Sequence, residues 1–148
     1  MGTPACIAVM NDKKEVTWTY VNYDGYLNGV GRMLNEYYND LIMAKKLISM
    51  GDISVLKKTM DCPVGHSFAT PAPDCTVFYE RDRGEDNVKP RHGDYAMFLR
   101  CNKGTISYIY TDGQWHIVRE TSKRGAILDR HKLLVLGEVL SGLYDFSR

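Results

Sequence analysis

No window of the 148-residue chain approaches the roughly 18 consecutive apolar residues of a membrane-spanning helix, so no membrane partner is expected. The short apolar stretch 5–10 carries no basic leader and is too brief for a secretory core. The expected compartment is therefore cytoplasmic. Neither charge dominates: 19 Lys+Arg against 18 Asp+Glu leave a formal net charge of +1. That balance argues against affinity built on general attraction to phosphates, so nucleic acid is not an expected partner, and it argues equally against an acidic DNA mimic. Proline is sparse, and no repeat, low-complexity tract or Pro/Ser-rich linker divides the chain, so one domain spanning 1–148 is expected. Cysteine is scarce and scattered, at Cys6, Cys62, Cys75 and Cys101. A chain this long can build a core without staples, and free thiols in a reducing compartment are expected. A Gly-x-Ser-x-Gly elbow, a His-Glu-x-x-His pair, a kinase signature and a Walker motif are all missing. No cofactor and no catalytic residue are assigned on sequence.

What is present reads as alternating strands and helices. Residues 6–10 form an apolar run and Asn11 to Lys14 a polar turn, while 16–23 alternate β-branched and aromatic residues, with Val16, Trp18 and Tyr20 on one face. Asp24-Gly25 breaks that strand. From Asn28 the period becomes helical, with Val30, Met33, Leu34, Tyr37, Leu41, Ala44 and Ile48 at steps of three or four. Asn39 or Asp40 can cap a second helix, giving helices 28–38 and 40–50 closed by Gly51; a single bent helix is the alternative.

Four proline or glycine positions, Pro63, Gly65, Pro71 and Pro73, mark 60–74 as a loop, with a short strand at 75–80 and a charged loop at 81–86. Segments 95–101, 105–111 and 114–119 read as a three-stranded antiparallel meander. The Asp112-Gly113 turn sets Tyr110 opposite Trp115 and Tyr108 opposite Ile117. Leu133, Leu136, Leu140 and Leu143 suggest a helix over 126–144. The class that follows is α+β: a mostly antiparallel sheet, made of an N-terminal hairpin and a C-terminal meander, with two or three helices packed on one face.

The 81–86 loop is the most chemically loaded stretch. Arg81 and Arg83 can grip a phosphate or carboxylate, with Asp82 and Glu85 orienting them, or the four can form ion pairs among themselves. His66 can act as a general base oriented by Asp74 or Asp82, or can fasten its loop by hydrogen bonds. Cys62-x3-His66 with Cys75 hints at zinc. Structural zinc sites use paired short spacings, however, and the second pair is missing, so no metal is expected. Gly29 and Gly31 at a helix start offer an anion site or simply close helix-to-sheet packing. Tyr20, Tyr23, Tyr26, Tyr37 and Tyr38 gather at the first strand-to-helix junction, as a margin of the core or as a surface for a base or a partner protein. His92, His116 and His131 fall into no constellation.

Three stretches together carry a resemblance: Tyr20-Val21-Asn22-Tyr23-Asp24-Gly25-Tyr26 leading into Gly29-Val30-Gly31, then Gly51-Asp52-Ile53-Ser54-Val55-Leu56, then Tyr79-Glu80-Arg81-Asp82-Arg83-Gly84-Glu85. With His66-Ser67-Phe68 and Asp112-Gly113-Gln114-Trp115, the chain resembles a group of small phage- and prophage-encoded proteins over most of residues 14–118. Where that group leads one to expect His-Trp before Asp-Gly-Tyr, this chain has Asn22-Tyr23, which removes a metal or catalytic histidine there.

The resemblance implies an accessory protein of the infected bacterial cell that acts by binding, inhibiting a host or defence protein. Two other functions stay open. One is a module that sequesters a signalling nucleotide through Arg81, Arg83, Gly29 and Tyr23 or Tyr26. The other is a small metal-dependent phosphodiesterase or nuclease using His66, Asp82 and Glu85. The candidate binding residues are Tyr23, Asp24, Tyr26, Gly29, His66, Arg81, Asp82, Arg83 and Glu85, the partner a host protein or a small nucleotide. A homo-oligomer is compatible with the sequence.

Overall fold

The computed structural model describes residues 2–121 and 130–142. Strand β1 (Ala5–Met10) turns through Asn11 into β2 (Glu15–Val21), the two pairing antiparallel. The Asn11 Oδ1 closes that turn by accepting from the Lys13 and Glu15 amides at 3.0 Å. A single π-helical turn (Leu27–Gly31) leads into α1 (Arg32–Tyr37), and α2 (Leu41–Ser49) follows. Two helices rather than one bent helix occupy 28–50 because Asp40 caps the second, its side chain accepting from the Met43 amide at 2.8 Å. Gly51, at φ +83°, then takes the left-handed position after the helix.

Next come β3 (Ile53–Val55), β4 (Val77–Phe78), α3 (Tyr79–Arg83), β5 (Arg91–Asp94), α4 (Tyr95–Cys101), β6 (Ile106–Thr111), β7 (Gln114–Thr121), β8 (Arg130–Val135) and α5 (Leu136–Leu140). The sheet runs in the order β4-β3-β2-β1-β6-β7-β8, and β5 pairs with β2 as well. It is mixed: β1–β6 and β2–β3 are parallel and the other pairings antiparallel. Most pairings are antiparallel, as expected, but the centre of the sheet is mixed. Strand β1 lies between an antiparallel and a parallel neighbour and is buried at every position, which accounts for its unbroken apolar sequence.

Helices cover both faces of the sheet, not one, and the described residues hold five α-helices where two or three were expected. Against the first face α1, α2 and α5 bring Leu34, Leu47, Ile48 and Val139 onto Ile7, Tyr108, Trp115 and Ile117. On the second face α4 lays Phe98 over Cys6, Ala8, Val16, Trp18 and Ile109, with Trp18 and Phe98 edge-on at 5.5 Å. The expected strand at 95–101 is thus a helix. Asp94 caps it, accepting from the Met97 amide at 2.7 Å, and Tyr95 and Phe98 stack one turn apart on its buried side.

The hairpin register at Asp112-Gly113 is as expected, with Tyr110 facing Trp115 and Tyr108 facing Ile117, and it sets Ile109 against His116 between them. The third strand of that meander is β8 instead of 95–101. Residues 130–135 of the expected tail helix are therefore strand, 136–140 are helix, and 126–129 with 143–144 lie outside the described residues. No helix among the described residues is long and apolar enough to cross a membrane.

Candidate functional site

Between β3 and β4 the chain runs through residues 56–76 without forming a helix or strand; its one ladder contact is the isolated bridge Thr59–Cys75. Its inner side is polar and sulfur-bearing, and α3 closes it. Burial of Phe78 and the left-handed Gly84, φ +71°, hold α3 to little more than one turn. The expected charged loop is therefore helical through Arg83, and its first charged residues turn inward.

Asp82 is the hub. Its side chain is 5% exposed, and Oδ2 accepts from the Phe78 amide at 2.8 Å and from Arg81 Nη2 at 3.0 Å, while Oδ1 accepts from Arg81 Nε at 2.8 Å. His66, with 3% of its side chain exposed, places Nε2 3.2 Å from the same Oδ2. The Ala72 amide donates to His66 Nδ1 at 2.9 Å, which leaves Nε2 as the nitrogen that carries the proton toward Asp82 in the neutral ring. Burial works to raise the Asp82 pKa, but the Arg81 guanidinium, the Phe78 amide and His66 outweigh it and hold the carboxylate below its ordinary value.

Arg81 reaches further inward. It donates to the Met60 carbonyl at 2.6 Å, to the Thr76 carbonyl at 3.0 Å and to Cys62 Sγ at 3.4 Å, with its guanidinium 4.8 Å over the Phe78 ring. The pairing with Asp82 holds its pKa above the ordinary value. The protein's own acceptors take hydrogen bonds from all three nitrogens of this guanidinium, and the Phe78 ring lies against it, although 31% of the side chain stays exposed.

Arg83 is arranged differently. It is more than half exposed, stacks on Phe68 at 4.7 Å and pairs with Glu85 at 3.6 Å. Phe68 in turn packs on Tyr79, whose hydroxyl accepts from Asn22 Nδ2 at 3.0 Å and ties this corner to the end of β2.

Of the remaining candidates, Asp24 has φ +59°, and its carbonyl accepts from the Val30 amide at 2.8 Å. A Cβ at Gly29 would collide with that carbonyl, and one at Gly31 would come within 3.1 Å of the Tyr108 ring. Both glycines serve close packing. Tyr38 and Tyr108 are core residues anchored to the Lys57 and Gly25 carbonyls, whereas Tyr23 and Tyr26 stand 42% and 49% exposed.

The fold thus joins His66 to Arg81 and Asp82 and leaves Tyr23 and Tyr26 on the surface. Cys62, His66 and Cys75, weighed above as a zinc set and put aside for want of a second short-spaced pair, are also brought together. One ligand atom from each of Cys62, His66 and Cys75 lies within 4.8 Å of the others. All four cysteines are free, as expected; Cys6 and Cys75 are buried and Cys101 is exposed.

No protein-family profile, curated protein sequence or solved structure matches the chain.

Proposed function

We propose that the protein acts by binding a partner protein, as an accessory factor in a phage-infected bacterial cell, where it blocks a host or defence protein. One observation carries this. Most of the groups with which the chain could do acid–base or phosphate chemistry, His66, Arg81 and Asp82, are bonded to one another and to backbone, which leaves the exposed Arg83–Glu85 pair outside that network, while Tyr23 and Tyr26 keep large exposed rings. Tyrosine is among the residue types enriched at protein interfaces, because a stiff apolar ring and a polar tip leave water together at low entropic cost. A nucleotide sponge would need Arg81 free to grip phosphate, and a hydrolase would need the His66–Asp82 pair open to substrate. Tyr37, Leu41 and Ile42, also exposed, add apolar surface at the α1–α2 junction.

The test is site-specific photo-crosslinking in bacterial cells, with a photoreactive phenylalanine at position 23, at position 26, or at the exposed turn residue Asp12. The same host protein captured at 23 and 26, and missing at 12, is the expected outcome. Equal capture at all three positions would remove the tyrosines from any interface.

A further inference from the structure

The 56–76 segment poses a physical problem. Its residues connect two strands without a ladder of their own, and connections longer than about 12–15 residues are uncommon in compact domains unless something fastens them. Apolar packing does part of that work through Leu56 and Met60, both buried. Hydrogen bonds from Tyr38 to the Lys57 carbonyl and from Arg81 to the Met60 and Thr76 carbonyls fasten it further, and beside them its interior holds two sulfurs and an imidazole.

We propose that Cys62, His66 and Cys75 bind one zinc-class transition-metal ion that clips the 56–76 segment against α3. Two thiolates and an imidazole form a donor set that selects zinc over magnesium or calcium, and cysteines without a disulfide framework in a reducing compartment favour metal ligation. The geometry is close to what such an ion needs. Tetrahedral zinc, at about 2.3 Å from sulfur, sets its two sulfurs about 3.8 Å apart. The three donor atoms here already lie within 4.8 Å of one another, so side-chain rotation of about 1 Å closes the site.

The surroundings suit the ion. Counting two thiolates and Asp82 as negative, and Arg81 and a divalent ion as positive, the charges cancel. Arg81 Nη2 donates to Cys62 Sγ at 3.4 Å, which favours a thiolate, but burial and Cys75 outweigh it and push the thiol pKa up to about 11, so the ion has to displace that proton as it binds. The imidazole bears Ala72 on Nδ1 and Asp82 on Nε2. Ligation through Nδ1 in place of the Ala72 amide keeps the carboxylate on the outer nitrogen, the arrangement that fixes a ligating ring and raises its basicity. Three protein donors leave one tetrahedral position for a solvent molecule, and Cys62 lies on the partly exposed side of the cluster.

The experiment is titration of the reduced, metal-stripped full chain with cobalt(II), read by absorption. Binding of one cobalt per chain, with intense thiolate-to-cobalt charge transfer in the near ultraviolet and tetrahedral visible bands, is expected, with the colour lost when zinc is added. The double variant Cys62→Ser/Cys75→Ser should lose the charge-transfer band, Cys101→Ser should keep it, and Asp82→Asn should weaken binding by about 10–100-fold. Absence of a cobalt–thiolate band in the reduced wild type overturns the proposal, whatever the folding of the variants. So does an unchanged band in the double variant, or a Cys62–Cys75 disulfide found by thiol counting in protein isolated from the cytosol.

Discussion

Replacing Arg81 by alanine separates a structural arginine from a ligand-binding one. The side chain, 31% exposed, donates to Asp82, to the Met60 carbonyl at 2.6 Å and to the Thr76 carbonyl at 3.0 Å. Hydrogen bonds involving a charged group contribute about 1.5–3 kcal/mol each, but three made by one partly exposed guanidinium do not add. Asp82 also keeps the Phe78 amide and His66 after the change, so it is not stranded. The net cost is about 2–4 kcal/mol, including the lost packing on Phe78. For a chain of this length that lowers Tm by roughly 5–15 °C. Lysine at 81 should recover less than half, since one ammonium cannot serve acceptors spread around a planar fork. Urea unfolding and calorimetry in the presence of a chelator, which removes any metal contribution, read both variants. An Arg81→Ala protein that melts within about 1 °C of the wild type would refute the internal network as a source of stability and return Arg81 to the surface chemistry expected of a phosphate ligand.

Other consequences follow from particular contacts. Trp115→Phe removes the indole N–H that reaches the Tyr38 carbonyl at 2.9 Å in the core, and should cost about 1–3 kcal/mol by urea unfolding; a smaller loss means the carbonyl finds another donor. Gly31→Ala drives a methyl to 3.1 Å from the ring of Tyr108, which is buried and anchored to the Gly25 carbonyl, so the clash should outweigh alanine's helix preference of about 1 kcal/mol and lower the urea midpoint; an unchanged or higher midpoint would show that the ring yields. Asp94→Ala deletes the cap of α4, at a cost of about 1 kcal/mol, and hydrogen exchange should quicken in 95–101 before it does in β6. Burial pushes the Tyr38 pKa up to about 12, against the opposing Thr76 hydrogen bond, and burial raises that of Tyr108 as well. Folded-state values above the unfolded value near 10 mean that this stabilisation is complete below pH 10 and is lost as pH climbs toward 12. The urea midpoint should fall over that window, and a flat profile would contradict the burial of both rings.

How far the fold could be read from the chain depended on whether its signals were local. Asp112-Gly113, both at positive φ, determine the β6–β7 register by turn geometry alone, so Tyr110 and Trp115 could be paired in advance. Asp40 worked the same way for α2. At 95–101 the mixed apolar run suits either strand or helix, and the Asp94 cap that decides between them lies one residue outside the run. The parallel pairings β1–β6 and β2–β3 join segments with no shared turn, so nothing nearby in sequence encodes them. In the site, Asp82 was one of two acids weighed as the partner of His66, and the fold selects it because α3 turns its carboxylate under the Phe78 amide. Cys62 and Cys75 are thirteen positions apart in numbering, and only the folding-back of 60–75 brings their sulfurs together.

Native mass spectrometry of the protein taken gently from bacterial cells that express it tests the central claim most directly, with a Tyr23→Ser/Tyr26→Ser variant alongside. The expected spectrum shows the chain bound to a second, different polypeptide in the wild type and stripped of it in the variant, with the variant's Tm unchanged. An added mass of nucleotide size that disappears on denaturation, present in both proteins, would contradict a protein-binding role and place the function in a small-molecule site instead.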